Sequence, residues 1–192
     1  MNNKVESVLE YDKIKNILRE YVISTLAEEK ILEMRPFDDI DLVKRLQQET
    51  SEGVALLKAG INLPLSGIRD IRNGLSLAKM GAILSPGQLL EIASTLRTSR
   101  LVKALWREKK LEGINIIDDI VNCLHSFQSL EEKIEKAIIS EDEIADDASP
   151  KLSSIRRQKR VLAQNIKNKL NEIISSPNYQ KVLQEAIVTV RQ

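Results

Sequence analysis

The sequence has few of the residues that build metal sites and covalent active sites. Cys123 is the only cysteine and His125 is the only histidine. One cysteine excludes an intrachain disulfide framework and a thiolate metal cluster, and one histidine nearly excludes histidine-based metal sites and Ser-His-Asp triads. We expect Cys123 to be a small buried apolar residue and His125 to be a residue at a helix end.

Other classes of function lack their sequence signatures as well. No segment matches the phosphate-binding pattern GxxxxGK[ST], and the seven glycines are scattered at predicted turns. Aromatic residues make up only 3% of the chain, which argues against platforms that stack nucleic-acid bases. The acidic run 141–147 lacks the spacing of a calcium loop, so we expect solvated turn residues there. We therefore expect no catalytic residue, cofactor or metal ion in these 192 residues.

The chain also lacks the long apolar segments that membranes require. No apolar run approaches the ~20 residues of a membrane span, and the first residues mix charged and apolar types instead of forming the apolar stretch of a signal peptide. The sequence therefore predicts a cytoplasmic protein that does not enter a membrane.

The net charge of +1 hides an uneven distribution. Residues 151–192 contain nine Lys or Arg and two Asp or Glu, a net charge of +7, so residues 1–150 carry −6. A basic segment of this kind could bind nucleic acid, or could instead pair with the acidic run 141–147.

Apolar periodicity predicts an all-α protein with a multi-helix core. The first three predicted helices are Tyr11–Ile23, a helix from a Thr25/Glu28 capping box to Met34, and a helix that starts at Asp38–Asp41. The third should bury Ile40, Val43, Leu46, Val54 and Leu57 and end at Gly60. Further helices are predicted over 68–79, over 86–110 after a Ser85/Gln88 capping box, over 114–125 and over 130–139 with Ser129 and Glu132 as its cap pair. Residues 138–144 form a weak strand candidate, and Trp106 should lie in the core or at a domain contact.

The most informative segment is a helix predicted from Pro150 to Ser176. Ser149 is a suitable N-cap, Pro150 suits the first turn, and Pro177 ends the helix. About 27 residues at roughly 1.5 Å each make a rod on the order of 40 Å. An apolar stripe runs along it, which we call the seam: Leu152, Ile155, Leu162, Ile166, Leu170 and Ile173.

Basic residues accompany the seam. Arg156, Arg160 and Lys167 fall on nearly one meridian of the helix, at about 100° per residue. The candidate phosphate-binding residues are Arg156, Arg157, Lys159, Arg160, Lys167 and Lys169. Such contacts would be salt-dependent and independent of nucleotide sequence. The alternative is a solvated helix face whose lysine stems cover apolar surface.

A series of segments resembles the MutS-II branch of the MutS family, in the same order along most of the chain. The segments are LPLSGIRDIR (63–72), GAILSP (81–86), IASTLR (92–97), DASPKL (147–152), IRR (155–157) and QEAIVTVR (184–191). The resemblance implies a helical core from which lever helices run to a clamp that encircles DNA. The rod at 150–176 would be the outgoing lever.

The same resemblance implies properties of a longer parent protein. In the family, ATP and Mg²⁺ bind an ATPase domain and a nuclease domain lies at the C-terminus, and neither has residues here. The family works as a homodimer on branched or duplex DNA in recombination control or DNA repair, and in some bacteria it rescues collided ribosomes. Residues 186–191 alternate as in a strand. The resemblance implies that a glycine and a second strand follow directly, so we expect the chain to be cut inside a hairpin.

The sequence thus predicts an all-α core with a protruding lever helix that ends in a single short strand. The expected division is a helical core over 1–148, a lever helix over 149–176, and a short helix plus strand over 177–192. The first functional hypothesis is a non-catalytic core and lever region of a MutS-II protein. The alternative is a free-standing helical protein–protein interaction or dimerisation module that pairs through the seam.

Overall fold

The computed structural model describes residues 8–109 and 111–180, and within them the fold is all-α, as predicted. The helices are α1 Tyr11–Arg19, α2 Thr25–Glu33, α3 Ile40–Lys58, α4 Arg72–Lys79, α5 Pro86–Lys109, α6 Ile116–Asn122, α7 Gln128–Ala137, α8 Pro150–Ser175 and α9 Pro177–Gln180. Two short strands, β1 Ile138–Ser140 and β2 Glu143–Ile144, pair with each other. The strand predicted at 186–191 lies outside the described residues.

The chain divides into two compact units, Met1–Glu143 and Ile144–Gln192. In the first unit, α5 packs against α4, α6, α7 and β1. The buried apolar side chains form two clusters, and each cluster includes residues of α5. One cluster contains Leu56, Ile61, Val102, Trp106, Ile114 and Val121. The other contains Ile92, Ala93, Ile134 and Ile138.

Several predicted helix ends are confirmed. The backbone N–H of Gln88 donates to Ser85 Oγ at 3.3 Å, and the Gln88 side chain accepts from the Ser85 N–H at 3.0 Å, which completes the capping box before α5. Asp39 Oδ1 caps α3 by accepting from two backbone N–H groups. Gly60 has φ of 70°, the left-handed conformation that ends a helix.

Two predicted caps are wrong by one or two residues. The N-cap of α2 is Ser24, whose Oγ accepts from the Ala27 N–H at 3.2 Å, and Thr25 is the first helical residue. Helix α7 begins at Gln128, ahead of the expected cap at Ser129, and the Gln128 side chain bonds Glu132 one turn later. Sequence spacing locates helix ends only to within one or two residues.

The predicted buried side of α3 is wrong. Ile40, Leu46, Val54 and Leu57 are between 37% and 67% exposed, whereas Glu52 and Leu56 are buried. The carboxylate of Glu52 accepts the backbone N–H groups of Asn115 at 3.1 Å and Ile117 at 3.0 Å, at the start of α6. Burial opposes ionisation of Glu52, but these backbone hydrogen bonds outweigh it and hold its pKa below the ordinary value. Helix α3 therefore presents a capping carboxylate to the core and an apolar stripe to the outside.

Other polar groups connect α5 to its neighbours. Glu131 on α7 is only 2% exposed, and Arg100 donates to both of its carboxylate oxygens at 3.0 and 2.7 Å. Trp106 lies in the core, as predicted, and its indole N–H donates to Asp118 at 2.7 Å. Cys123 is exposed and not buried as expected, because α6 ends at Asn122 and Cys123 lies at its C-cap.

The LPLSGIRDIR segment forms a loop before α4 that packs closely on α5. The carbonyl oxygen of Gly67 accepts from Ser94 Oγ at 2.8 Å, and Thr95 Oγ1 accepts from the Arg69 N–H at 3.0 Å. A Cβ at position 67 would lie 2.2 Å from Thr98 Oγ1, so only glycine fits at this approach.

Candidate nucleic-acid interface on the long helix

Helix α8 forms for local reasons that the sequence contains. Ser149 Oγ accepts from the Leu152 N–H at 3.1 Å, and Pro150 occupies the first turn. The helix continues for 26 residues and ends one residue before Ser176, which is extended ahead of Pro177. None of its described side chains is buried, so this length is not stabilised by a core of its own.

The seam of α8 faces solvent along most of its length. Four of its residues, Ile155, Leu162, Ile166 and Ile173, are between 39% and 61% exposed. Leu152 and Leu170 are half-buried. Val161, outside the predicted seam, is also 54% exposed. A stripe of this kind is typical of a helix face that another element covers.

Two of the candidate cations are held by an acidic side chain next to the helix. Arg156 forms an ion pair with Asp146 and also donates to the carbonyl oxygen of Ile144 at 2.9 Å. Arg160 approaches the other oxygen of Asp146 at 3.6 Å. The hydrogen bond from Arg156 is the main reason that the pKa of Asp146 lies below its ordinary value, and the nearby charge of Arg160 adds to the effect. For these two arginines, the alternative of pairing with the acidic run is the one observed.

The other four candidates differ in their surroundings. Lys169 pairs with Glu172 at 3.0 Å, and both side chains are largely exposed. Arg157, Lys159 and Lys167 form no ion pair with any residue in the described ranges 8–109 and 111–180. These three are therefore the cations best able to meet an outside anion.

The helical positions of the six cations separate them further. Lys167 lies seven and eleven residues after Arg160 and Arg156, so the three share one side of α8. Lys159 lies four residues after Ile155 and seven before Ile166, which puts it inside the seam. A charged residue at a seam position usually specifies which helix can pair there. Sequence reasoning placed Lys159 with the phosphate-binding set and did not note its position in the seam.

The chemistry available on the described side chains of α8 is that of binding. Lysine and arginine side chains can contact phosphates, and the exposed seam can pack against another apolar helix. Over the described part of the chain, no group of three or more His, Cys, Asp or Glu side chains could hold a metal ion. Nor does any helix there have the length and hydropathy to cross a membrane.

Sequence reasoning did not identify Asp146 as the partner of Arg156. It expected solvated turn residues in the acidic run, some of them helping the start of the long helix, and it offered the run as a whole as one possible partner of the basic segment. The turn in which the Ala148 N–H donates to the Ala145 carbonyl at 3.1 Å brings Asp146 to the side of the helix. An acidic residue in the turn before a helix and an arginine two turns inside it would have been the signal.

Comparison with known proteins gives a consistent result. No protein-family model matches the chain. The endonuclease MutS2 of Ruminiclostridium cellulolyticum is 45% identical over 192 residues, and that of Acetivibrio thermocellus is 42% identical over 193 residues. The endonuclease MutS2 of Clostridioides difficile is 40% identical over 193 residues. Each match covers all of this chain and 24% of the relative, so the chain spans about a quarter of the length of these curated proteins.

Proposed function

Because the chain corresponds along its whole length to the N-terminal region of the MutS2 branch of the MutS family, we propose that it is a non-catalytic core and lever region of a MutS2-type DNA-binding endonuclease. Its role is mechanical, and it connects the helical core to parts of the parent protein that act on DNA. The observation that carries the proposal is uninterrupted similarity of 40–45% identity to several MutS2 endonucleases.

The form of α8 supports the lever role. A helix of 26 residues with no buried side chain among those described has no local function as a core element. Its exposed seam offers a surface along which a second helix can pack. In the proposed parent protein, that second helix and the clamp follow this region.

The wider activity of the parent is part of the same proposal. The parent acts as a homodimer, either on branched or duplex DNA in recombination control or DNA repair, or on collided ribosomes that it rescues, or on both. ATP and Mg²⁺ bind its ATPase domain, and these 192 residues supply none of the ligands. The word endonuclease in the relatives' names supports the nucleic-acid part of this proposal.

Direct contact between α8 and DNA is tested by a salt series. Each phosphate contact on duplex DNA contributes about −0.9 to the slope of log affinity against log salt. If Arg157, Lys159 and Lys167 all contact phosphates, the slope should be near −2.7, which is about a 40-fold loss of affinity between 50 and 200 mM salt. Binding should be measured with duplex and four-way-junction DNA. Undetectable binding at low salt would place DNA contact outside this region.

Charge reversal on α8 tests the assignment residue by residue. The double variant Arg157→Glu/Lys167→Glu removes two cations that have no described partner, and the slope should fall in magnitude by about 1.8. Arg156 is unsuitable for this test because its ion pair with Asp146 holds the start of the helix. Lys79→Glu, at an exposed position on α4, is the control with the same kind of charge change. An equal effect of the control would mean that binding is nonspecific.

The exposure of the seam also favours the second hypothesis, a free-standing helical interaction module. Under that hypothesis, Ile166→Glu should abolish self-association, as measured by sedimentation, and the Arg157→Glu/Lys167→Glu variant should leave it unchanged. Under the first hypothesis, the cation variant should weaken DNA binding. The two variants change side chains on one helix, so each serves as the control for the other.

A further inference from the structure

Helix α3 carries an apolar stripe on the side opposite its buried face. Ile40 is 62% exposed and Leu57 is 67% exposed, at the two ends of the helix. Leu46 and Val54 lie between them at 37% and 44%, and Val43 is half-buried. Positions Glu52 and Leu56, which face the core, are a half turn away around the helix. The stripe is therefore not an edge of the core, and within the described residues most of it is left uncovered.

The spacing of this stripe is that of a helix-pairing surface. Residues at alternating steps of three and four repeat over nearly three heptads, and we call them the α3 stripe: Ile40, Val43, Gln47, Thr50, Val54 and Leu57. Leu46 flanks it, and none of the seven side chains is charged. Such a 3,4 repeat is the sequence pattern by which one helix packs along another.

We propose that the α3 stripe is the docking surface for an amphipathic helix supplied by the remainder of the same polypeptide. The proposal rests on the proposed function, in which this chain is the N-terminal quarter of a longer protein. The length argument is direct: the relatives continue the matched region with about three times as much chain. The covering helix should present apolar side chains along most of the stripe.

A second copy of the chain fits the α3 stripe less well. A stable interface between separate proteins uses roughly 20–30 residues on each side, and the stripe with Leu46 offers seven. A helix in the same polypeptide needs less contact area, because it does not lose the translational freedom of a separate molecule.

One residue of the stripe predicts a feature of the covering helix. Thr50 Oγ1 already donates to the carbonyl oxygen of Leu46 at 2.9 Å, so it can be covered without a new partner. The side chain of Gln47 makes no hydrogen bond within the described residues. Covering it with apolar atoms would cost its hydrogen bonds to water. The covering helix should therefore carry a polar side chain opposite Gln47.

The test measures the accessibility of the stripe to a thiol reagent. Cys123→Ser removes the only native cysteine, which is exposed. In that background, Leu57→Cys places a thiol in the stripe, and Ile83→Cys places one at a site 99% exposed in the loop before α5 as the control. Maleimide labelling rates are compared between the 192-residue chain and a chimera in which it replaces the matching region of the Ruminiclostridium cellulolyticum relative.

We expect labelling of the Leu57→Cys variant to slow by at least about tenfold in the chimera, and labelling of the Ile83→Cys variant to change less than about twofold. Equal rates for Leu57→Cys in both proteins would overturn the proposal. So would slowing of both variants alike, or slowing in the isolated chain that grows with protein concentration, which would identify a second copy as the partner. DNA takes no part in labelling, so failure here leaves the DNA-binding test of α8 unaffected.

Discussion

The close contact of the loop at Gly67 with α5 leads to a quantitative prediction. A methyl group at position 67 would lie 2.2 Å from Thr98 Oγ1 and 3.2 Å from Ser94 Oγ. Contacts below 3.0 Å force a neighbour to move. Thr98 has little room to do so, because it is 5% exposed and sits on the buried side of α5.

The cost of Gly67→Ala follows from this geometry. Overpacking at a closely packed site usually destabilises a protein by about 1–3 kcal/mol. The displaced loop would also strain the hydrogen bond from Ser94 Oγ to the Gly67 carbonyl oxygen. We therefore expect a loss of about 2 kcal/mol in the free energy of unfolding, or a lowering of Tm by about 4–8 °C for a chain of this size.

Urea unfolding provides the assay, with two comparisons built into the chain. Thr98→Ala removes the clashing oxygen, so in that background Gly67→Ala should cost less than about 0.5 kcal/mol, and the double-mutant cycle should give a coupling of at least about 1 kcal/mol. Gly53→Ala, within α3 and with no atom near the added methyl, should instead stabilise by about 0.5–1 kcal/mol. A neutral Gly67→Ala, or additive effects of Gly67→Ala and Thr98→Ala, would refute the reasoning.

Three further predictions concern other contacts. The hydrogen bonds from Arg100 are the main reason that the pKa of Glu131 lies below its ordinary value. The ionised Glu131 therefore stabilises the fold above the ordinary glutamate pKa, and this stabilisation is lost as the pH falls through the lowered pKa. Glu131→Gln should flatten the acid limb of a curve of Tm against pH, and an unchanged limb would contradict this. Trp106→Phe removes the donor to Asp118 and should destabilise the first unit by about 1–3 kcal/mol in urea. Ser149→Ala removes the N-cap of α8. The free energy of local opening that amide exchange reports should fall by about 1 kcal/mol in the first turn of α8, and it should stay unchanged in α5.

Periodicity and caps predicted the helices whose ends have strong local signals. Helix α5 begins at the Ser85/Gln88 capping box, and α8 begins at Ser149-Pro150, within a residue of the expected bounds. In both cases the side chain and the backbone group it caps are three residues apart, so no tertiary information is needed. The residues of the α8 seam come from apolar periodicity along one helix, and their role in pairing stays a prediction.

The failures share a tertiary cause. Periodicity finds an apolar stripe on α3, but it does not tell which side of the helix the rest of the protein covers. Glu52 faces the core because the backbone N–H groups at the start of α6 donate to its carboxylate. Helix α7 ends at Ala137 and not at Ile139, because Ile138 is extended and begins β1. The role of α8 in binding nucleic acid stays a prediction, although the pairing of Arg156 with Asp146 now directs its test to other cations.

The hydrogen bonds from α6 to Glu52 also determine when α6 can form during folding. An isolated helix needs about 12–15 residues to be even marginally stable, and α6 has seven. Its first turn is held by a carboxylate 63 and 65 residues earlier in the chain, so a long loop must close before that turn is stabilised. We therefore expect α6 to form late in folding, so that substitution of Glu52 speeds unfolding and changes the folding rate little. A short helix in this fold thus depends kinetically on a residue that sequence reasoning would have turned toward solvent.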